Sequence, residues 1–268
     1  MPSIRTLALS IAFACLFCSF LTAQEKSASD RLAAAHAQYY TPTTSGLKSF
    51  HCKAAIDWKS LIERITGTAL PDDNPTIKYL QTVQLSVTDE LKGNGALEWA
   101  SSAFVPEGKE QAVEQMREGF QTAVDGFFQS WNPYMNGSMV PIPDKTLTVT
   151  PSGEGIHLSA SSQAAKIDED FDKSLLLTQV LVVSPSIKVL ATPTYVEMPG
   201  GLTVTSVDSK INQPPSAPQT EAIFRIEYAN VDTFEIPSRI VLDIKNTGLI
   251  DLSLNACQVS VADWARKK

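Results

Sequence analysis

Side chains able to carry acid–base, nucleophilic or metal chemistry are sparse in this sequence. The three histidines, His36, His51 and His157, have no second histidine or cysteine at zinc-ligand spacing, and no H-E-x-x-H pattern occurs. A G-x-S-x-G elbow, a P-loop and a Rossmann glycine fingerprint are equally missing. The acidic string Asp168-Glu169-Asp170-Phe171-Asp172 opens with the D-x-D-x-D alternation of a calcium loop. Such a loop needs glycine at its sixth position for the sharp turn and glutamate at its twelfth as a bidentate ligand. Lys173 and Gln179 stand there instead, so the string reads as a solvated acidic turn. These patterns predict a protein with no catalytic residue, no bound metal and no cofactor.

Two groups of residues remain. Phe120, Phe127, Phe128 and Trp131 share one stripe of an amphipathic helix predicted from Glu107 to Trp131, together with Val113, Met116 and Val124. Such a stripe either fills a core or lines a cavity for a hydrophobic ligand, and the two differ in whether the facing space is packed at native density. Gly119 and Gly126 weaken this helix by about 1 kcal/mol each relative to alanine, unless close packing needs them. The second group is the cysteines. Cys15 and Cys18 lie within an apolar leader, whereas Cys52 and Cys257 lie near the two ends of the remaining chain.

The leader decides how the cysteines are read. Residues 1 to 23, MPSIRTLALSIAFACLFCSFLTA, contain one basic residue (Arg5), an apolar stretch from Leu7 to Leu21, and small Ala23 before the polar run Gln24-Glu25-Lys26. That is the layout of a secretory signal peptide and predicts an exported protein, periplasmic or secreted. An uncleaved membrane anchor is the competing reading, with Thr6 to Ala23 at the short limit for a span. Lipidation at Cys15 is a minor one, because the residues before it match a lipoprotein signal poorly. In an oxidising compartment the remaining pair, Cys52 and Cys257, is most simply a disulfide, although two buried thiols stay open as the alternative. Closing a loop of about 200 residues would stabilise the fold by on the order of 4–5 kcal/mol in the chain-entropy model.

The chain has 268 residues, of which 43% are hydrophobic and 19% charged, an ordinary globular composition. Its formal charge is −7; removing the leader takes Arg5 and no acid, which leaves 21 basic against 29 acidic residues, or −8. No basic run precedes Arg266-Lys267-Lys268, so nucleic acid is not an expected partner.

The elements that must position the aromatic stripe follow from periodicity. Helices are predicted from Ala28 to Tyr40, capped by Asp30, and from Asp57 to Gly67, where Trp58, Leu61, Ile62 and Ile65 recur at helical spacing. A short strand is predicted from Leu47 to Cys52, and a hairpin from Val83 to Ala100 around Gly93-Asn94-Gly95. After Pro143 the pattern is almost continuous alternation, with Asn212 to Pro218 as an exposed loop and a phase shift near Ala256 that signals a β-bulge. Alternation of this kind belongs to antiparallel sheet with one buried face. The fold expected is α+β: a curved antiparallel sheet, a half-barrel, wrapped around covering helices, with residues 24–268 forming one domain.

Three segments of the C-terminal part, Tyr195 to Asp208 (YVEMPGGLTVTSVD), Phe224 to Pro237 (FRIEYANVDTFEIP) and Leu249 to Val259 (LIDLSLNACQV), resemble the LolA-like superfamily of periplasmic lipoprotein carriers. Gly46 to Cys52 (GLKSFHC), Asp57-Trp58 and Gly126 to Trp131 (GFFQSW) are similar to a set of uncharacterised secreted bacterial proteins. The resemblance implies a half-open barrel whose apolar concave face holds acyl chains under helices. The long helix from Glu107 to Trp131 has no obvious counterpart in those carriers. The function expected is a non-enzymatic, exported binding protein for an acyl chain, a lipoprotein or another hydrophobic ligand, with Phe120, Phe127, Phe128 and Trp131 as candidate ligand contacts and any membrane contact transient. The alternative is a structural or interaction domain of the cell envelope with a solid core and no small ligand. The oligomeric state is left open.

Overall fold

In the computed structural model, the residues described are 27–92, 95–245 and 248–265. The leader with Cys15 and Cys18, the hairpin residues Gly93 and Asn94, and the basic tail fall outside them. Among the described residues four helices run in chain order as α1 (Ala28–His36), α2 (Trp58–Thr66), α3 (Pro75–Leu80) and α4 (Glu110–Met135). Between α1 and α4 lie the strands β1 (Leu47–Ile56), β2 (Val83–Asp89) and β3 (Ala96–Ser101). After α4 the chain is strand alone: β4 (Thr148–Ser152), β5 (Gly155–Ser161), β6 (Lys166–Phe171), β7 (Leu177–Val183), β8 (Lys188–Met198), β9 (Gly201–Asn212), β10 (Thr220–Val231), β11 (Phe234–Ile244) and β12 (Gly248–Val261).

All twelve strands form one antiparallel sheet in the order β3-β2-β1-β12-β11-β10-β9-β8-β7-β6-β5-β4. From β4 to β12 each strand pairs with the next, and β12 then returns to pair with β1. The sheet is curved but does not close, so the fold is α+β with β3 and β4 as edges. Curvature follows from burial. One core cluster takes Phe50 from β1, Val87 from β2, Ile156 from β5, Val180 from β7, Val204 from β9 and Leu252 from β12, and places Phe127, Phe128 and Trp131 of α4 among them. Strands so far apart in one sheet reach a common helix only if the sheet bends around it.

The bulge predicted near Ala256 is present and has a structural consequence. His51 faces Gln258 and Lys53 faces Asn255, so Cys52 stands opposite two residues, Ala256 and Cys257, with Ala256 at φ 49°. Cys52 is bonded to Cys257 across this irregularity and ties the first strand to the last, 205 residues apart. The two free edges are protected differently. Gln121 of α4 accepts the Leu97 N–H of β3 at 3.2 Å, and β4 is five residues long and carries Pro151.

Several boundaries differ from expectation. Helix α1 is capped by Ser27, with Asp30 three residues on completing the capping box, and it ends at His36 rather than Tyr40. The residues after it leave the helix to bond the sheet: Tyr40 N–H donates to the Leu202 carbonyl at 2.9 Å, and Leu202 N–H to the Gln38 carbonyl at 2.8 Å. Gly201 permits this approach, since a Cβ there would lie 2.6 Å from the Gln38 carbonyl oxygen. Helix α4 begins at Glu110 rather than Glu107 and continues through Pro133 to Met135, because burial of Tyr134 and Met135 outweighs the backbone bond that proline lacks. Helix α3, too short to show a periodicity, starts with Pro75 in its first turn and Asn74 as its cap.

Candidate functional site

The aromatic stripe divides between two environments. Phe128 is fully buried, tilted against Phe50 with ring centroids 6.0 Å apart. Trp131 packs edge-on to Phe50 and donates from Nε1 to the Tyr228 hydroxyl at 2.9 Å, which in turn donates to the Val204 carbonyl at 2.7 Å. These two residues are core; they anchor α4 to β1, β9 and β10. Phe120, eight residues before Phe128, sits in a smaller cluster, with its ring 5.2 Å from Trp58 of α2 and close to Leu61, Leu80 and Leu85. Phe127 stacks on Trp131 and lies 5.9 Å from the Phe224 ring of β10.

Between these two clusters the packing opens. An apolar groove of about 570 Å³ runs beside α4, and Phe120 and Phe127 both line it. Leu61 and Ile65 of α2 form one wall, and Phe224, Leu242 and Ile250, from β10, β11 and β12, form the opposite side. None of the described residues that line it is charged, and the polar ones among them are Thr122, Gln129 and Ser130. The Thr122 and Ser130 hydroxyls donate back to the Glu118 and Gly126 carbonyls of their own helix, both at 2.9 Å, and so place no unmet donor against the groove. Deeper in, beneath Phe127 and Phe128, the space shrinks to about 20 Å³, room for about one water.

Of the four aromatic residues the sequence singled out, the structure therefore brings Phe120 and Phe127 to the groove and leaves Phe128 and Trp131 behind it. Gly119 and Gly126 are the unexpected part. A Cβ built at either meets nothing within 4 Å, although both glycines line the groove. Close packing among the described residues does not require them. Leu61, Ile65, Phe224, Leu242 and Ile250 show only ordinary amphipathic spacing in sequence, and nothing separated them from core positions. The two glycines inside an otherwise strong helix were the one legible signal.

Groups that could carry chemistry lie elsewhere. The acidic string is strand β6, not a turn. Asp168 and Asp170 face outward, and Glu169 points into the core between Leu158 and Val180 of the neighbouring strands. On the outer face His157 Nδ1 lies 2.7 Å from Asp170 Oδ1, and Ser159 donates to Asp168 Oδ1 at 2.7 Å. Lys166 and Ser159 hold the Asp168 carboxyl below the usual range. Because the Ser159 hydroxyl bonds the carboxylate and not the imidazole, this is a cross-strand polar ladder and not a nucleophile with its base. Among the described residues no group of three or more His, Cys, Asp or Glu side chains is placed to hold a metal ion.

Two carboxyls are buried. Glu169 is 2% exposed, its Oε2 has no hydrogen-bond partner, and burial raises it to about 8. Tyr39 and Tyr195 stack edge to face beside Tyr134, and burial raises all three phenols, with Glu169 adding to each shift. Asp89, at the end of β2, accepts from Asn132 of α4 and from Leu91 N–H, both at 3.0 Å, and burial lifts it to about 6. Both carboxyls serve packing around α4 and neither reaches the groove. No helix among the described residues is long and apolar enough to cross a membrane. No family model, no curated protein and no solved structure matches this chain.

Proposed function

We propose that the protein is an exported, non-enzymatic carrier or sequestering protein that holds an acyl chain in the groove between α4 and the ends of β9 to β12. The observation behind this reading is the groove itself: about 570 Å³, apolar, uncharged, and within the ~300–1,000 Å³ range of small-ligand sites. A site of this composition favours a ligand with a large apolar surface and disfavours any group whose charge would be buried unpaired. Export is supported by the signal-like residues 1 to 23 and by the Cys52–Cys257 bond, a linkage that persists in oxidising compartments. A curved antiparallel sheet folded over a helix is also the arrangement that the resemblance to LolA-like carriers implies, with residues 24–268 as one half-barrel domain.

The direct test is native mass spectrometry of protein purified without detergent from the exported fraction, followed by solvent extraction. A co-purifying lipid, displaced by a fluorescent fatty acid at one equivalent per chain, is the expected result. A bare protein that also fails to bind the fluorescent fatty acid would overturn the reading. One observation favours a second reading, an envelope interaction domain: Phe104, on the loop before α4, is 98% exposed, the kind of isolated apolar anchor that partner proteins cover. The bare-protein outcome would favour it.

A further inference from the structure

We infer that the groove measures acyl-chain length, with α4 as the ruler and Gly119 and Gly126 as the positions that keep the ruler clear. This inference rests on the function proposed above. The groove follows α4 from Met116 to Ser130, an advance of about 21 Å at 1.5 Å per residue. An extended hydrocarbon chain advances about 1.25 Å per methylene, from C–C bonds of about 1.5 Å at about 111°. The groove therefore matches one extended chain of about 16 carbons.

The two ends differ in chemistry. At the Met116 end, Leu61 and Phe120 are buried in the packed cluster that contains Trp58, Leu80 and Leu85, and Ile65 of α2, 59% exposed, lines the groove at the surface. At the other end the α4 residues are Gln129 and Ser130, both exposed. A chain lying with its methyl terminus against Phe120 and Leu61 leaves its polar group beside Gln129 and Ser130, where water can solvate it. The reverse orientation would press that group against an apolar wall with no charged side chain to meet it.

Between the ends, Gly119, Ala123, Gly126 and Ser130 form one row of small residues along α4, spaced four, three and four residues apart and flanked by Phe120, Thr122 and Phe127. The open space over both glycines is the space the chain would occupy. A leucine at 119 would block the last 4.5 Å or so toward Met116, about four methylenes, whereas a leucine at 126 would block all but the mouth.

The experiment is displacement of a fluorescent fatty-acid probe by saturated fatty acids of 8 to 20 carbons, below their micellar concentrations, on the full mature protein and on Gly119→Leu and Gly126→Leu. Circular dichroism and urea midpoints establish that each variant is folded. For the unsubstituted protein, affinity should rise about fourfold per methylene and level off near 16 carbons. Gly119→Leu should move the plateau to about 12 carbons while leaving 8- and 10-carbon affinities unchanged, and Gly126→Leu should lose binding at every length. Should a variant not fold, the chain-length profile of the unsubstituted protein decides alone: a plateau far from 16 carbons, or none, overturns the ruler. Binding with a plateau, but with Gly119→Leu weakening all lengths equally, overturns the assigned orientation and the ruler with it. No binding of any chain to the unsubstituted protein would instead refute the proposed function.

Discussion

Replacing Glu169 with glutamine isolates the electrostatic cost of placing a carboxyl in this core. Glu169 lies between Leu158 and Val180, is 2% exposed, and titrates in the folded state at about 8. A glutamate in the unfolded chain titrates near 4.3. The folded form therefore holds a proton that the unfolded form has released throughout the interval between these values. By linkage, stability is greatest below about pH 4.3, declines as the pH rises, and levels off once the folded carboxyl also ionises above about 8. A difference of between three and four pH units corresponds to on the order of 5 kcal/mol, an upper bound because local water entry relieves part of it. The tyrosines around the carboxyl do not compete in this window, since burial moves all three upward from 10. The assay is urea denaturation at pH 5, 7 and 9 for the protein and for Glu169→Gln, with the difference between them read at each pH. Glutamine, neutral throughout, should gain on glutamate by several kcal/mol from pH 5 to pH 9. A constant difference across that range, or one of the opposite sign, would refute the argument that desolvation governs this residue.

Other perturbations follow from single contacts. Gly119→Ala and Gly126→Ala each add a methyl group to open space and should raise stability by about 1 kcal/mol, additively, in the same urea assay. Loss of the 205-residue cross-link in the double variant Cys52→Ser, Cys257→Ser should lower stability by up to about 5 kcal/mol, and non-reducing peptide mapping should recover the two peptides joined only in the unsubstituted protein. Asp89→Ala removes the carboxylate that accepts the Leu91 N–H and the 3.0 Å bond from Asn132; thermal melting at pH 7.5 should show a loss of about 2–3 kcal/mol, and Asp89→Asn a smaller one.

What could be read from sequence was what repeats. Strands β10 and β12 lie in the stretch of alternation after Pro143, and Ala222, Ile226, Leu252 and Leu254, which stand in its apolar phase, are buried. The bulge at Ala256 was legible because it breaks that alternation, and the pairing of Cys52 with Cys257 because the leader leaves only two cysteines. Strand β6 was not legible: Glu169 takes the inward position between Ile167 and Phe171, and an acid in the apolar phase erases the pattern that identifies a strand. Nor was the division of the aromatic stripe. A helix projects the same spacing whether a residue meets the sheet or a gap beside it, so Phe120 and Phe127 could not be told from Phe128 and Trp131 without knowing where α2 and the ends of β10 to β12 lie.

The glycines of α4 tie these points to function. Natural sequences are locally consistent with their folds, and violations without an internal reason concentrate at functional positions. Gly201 has an internal reason, because the Gln38 carbonyl passes where its side chain would be. Gly119 and Gly126 have none within the described structure, yet each weakens the longest helix by about as much as a good hydrogen bond strengthens a fold. Alanine at both sites would fit and stabilise, so stability alone does not account for glycine there. An occupant lying against the α4 backbone does account for it, and it accounts equally for the absence of charge along the groove and for the return of the Thr122 and Ser130 hydroxyls to their own helix. The stabilising alanine variants therefore serve as a probe of function: if they strengthen the fold and also weaken long-chain binding, the two glycines are kept for the ligand; if they strengthen the fold and leave binding of every chain length untouched, the ligand does not lie on this face of α4.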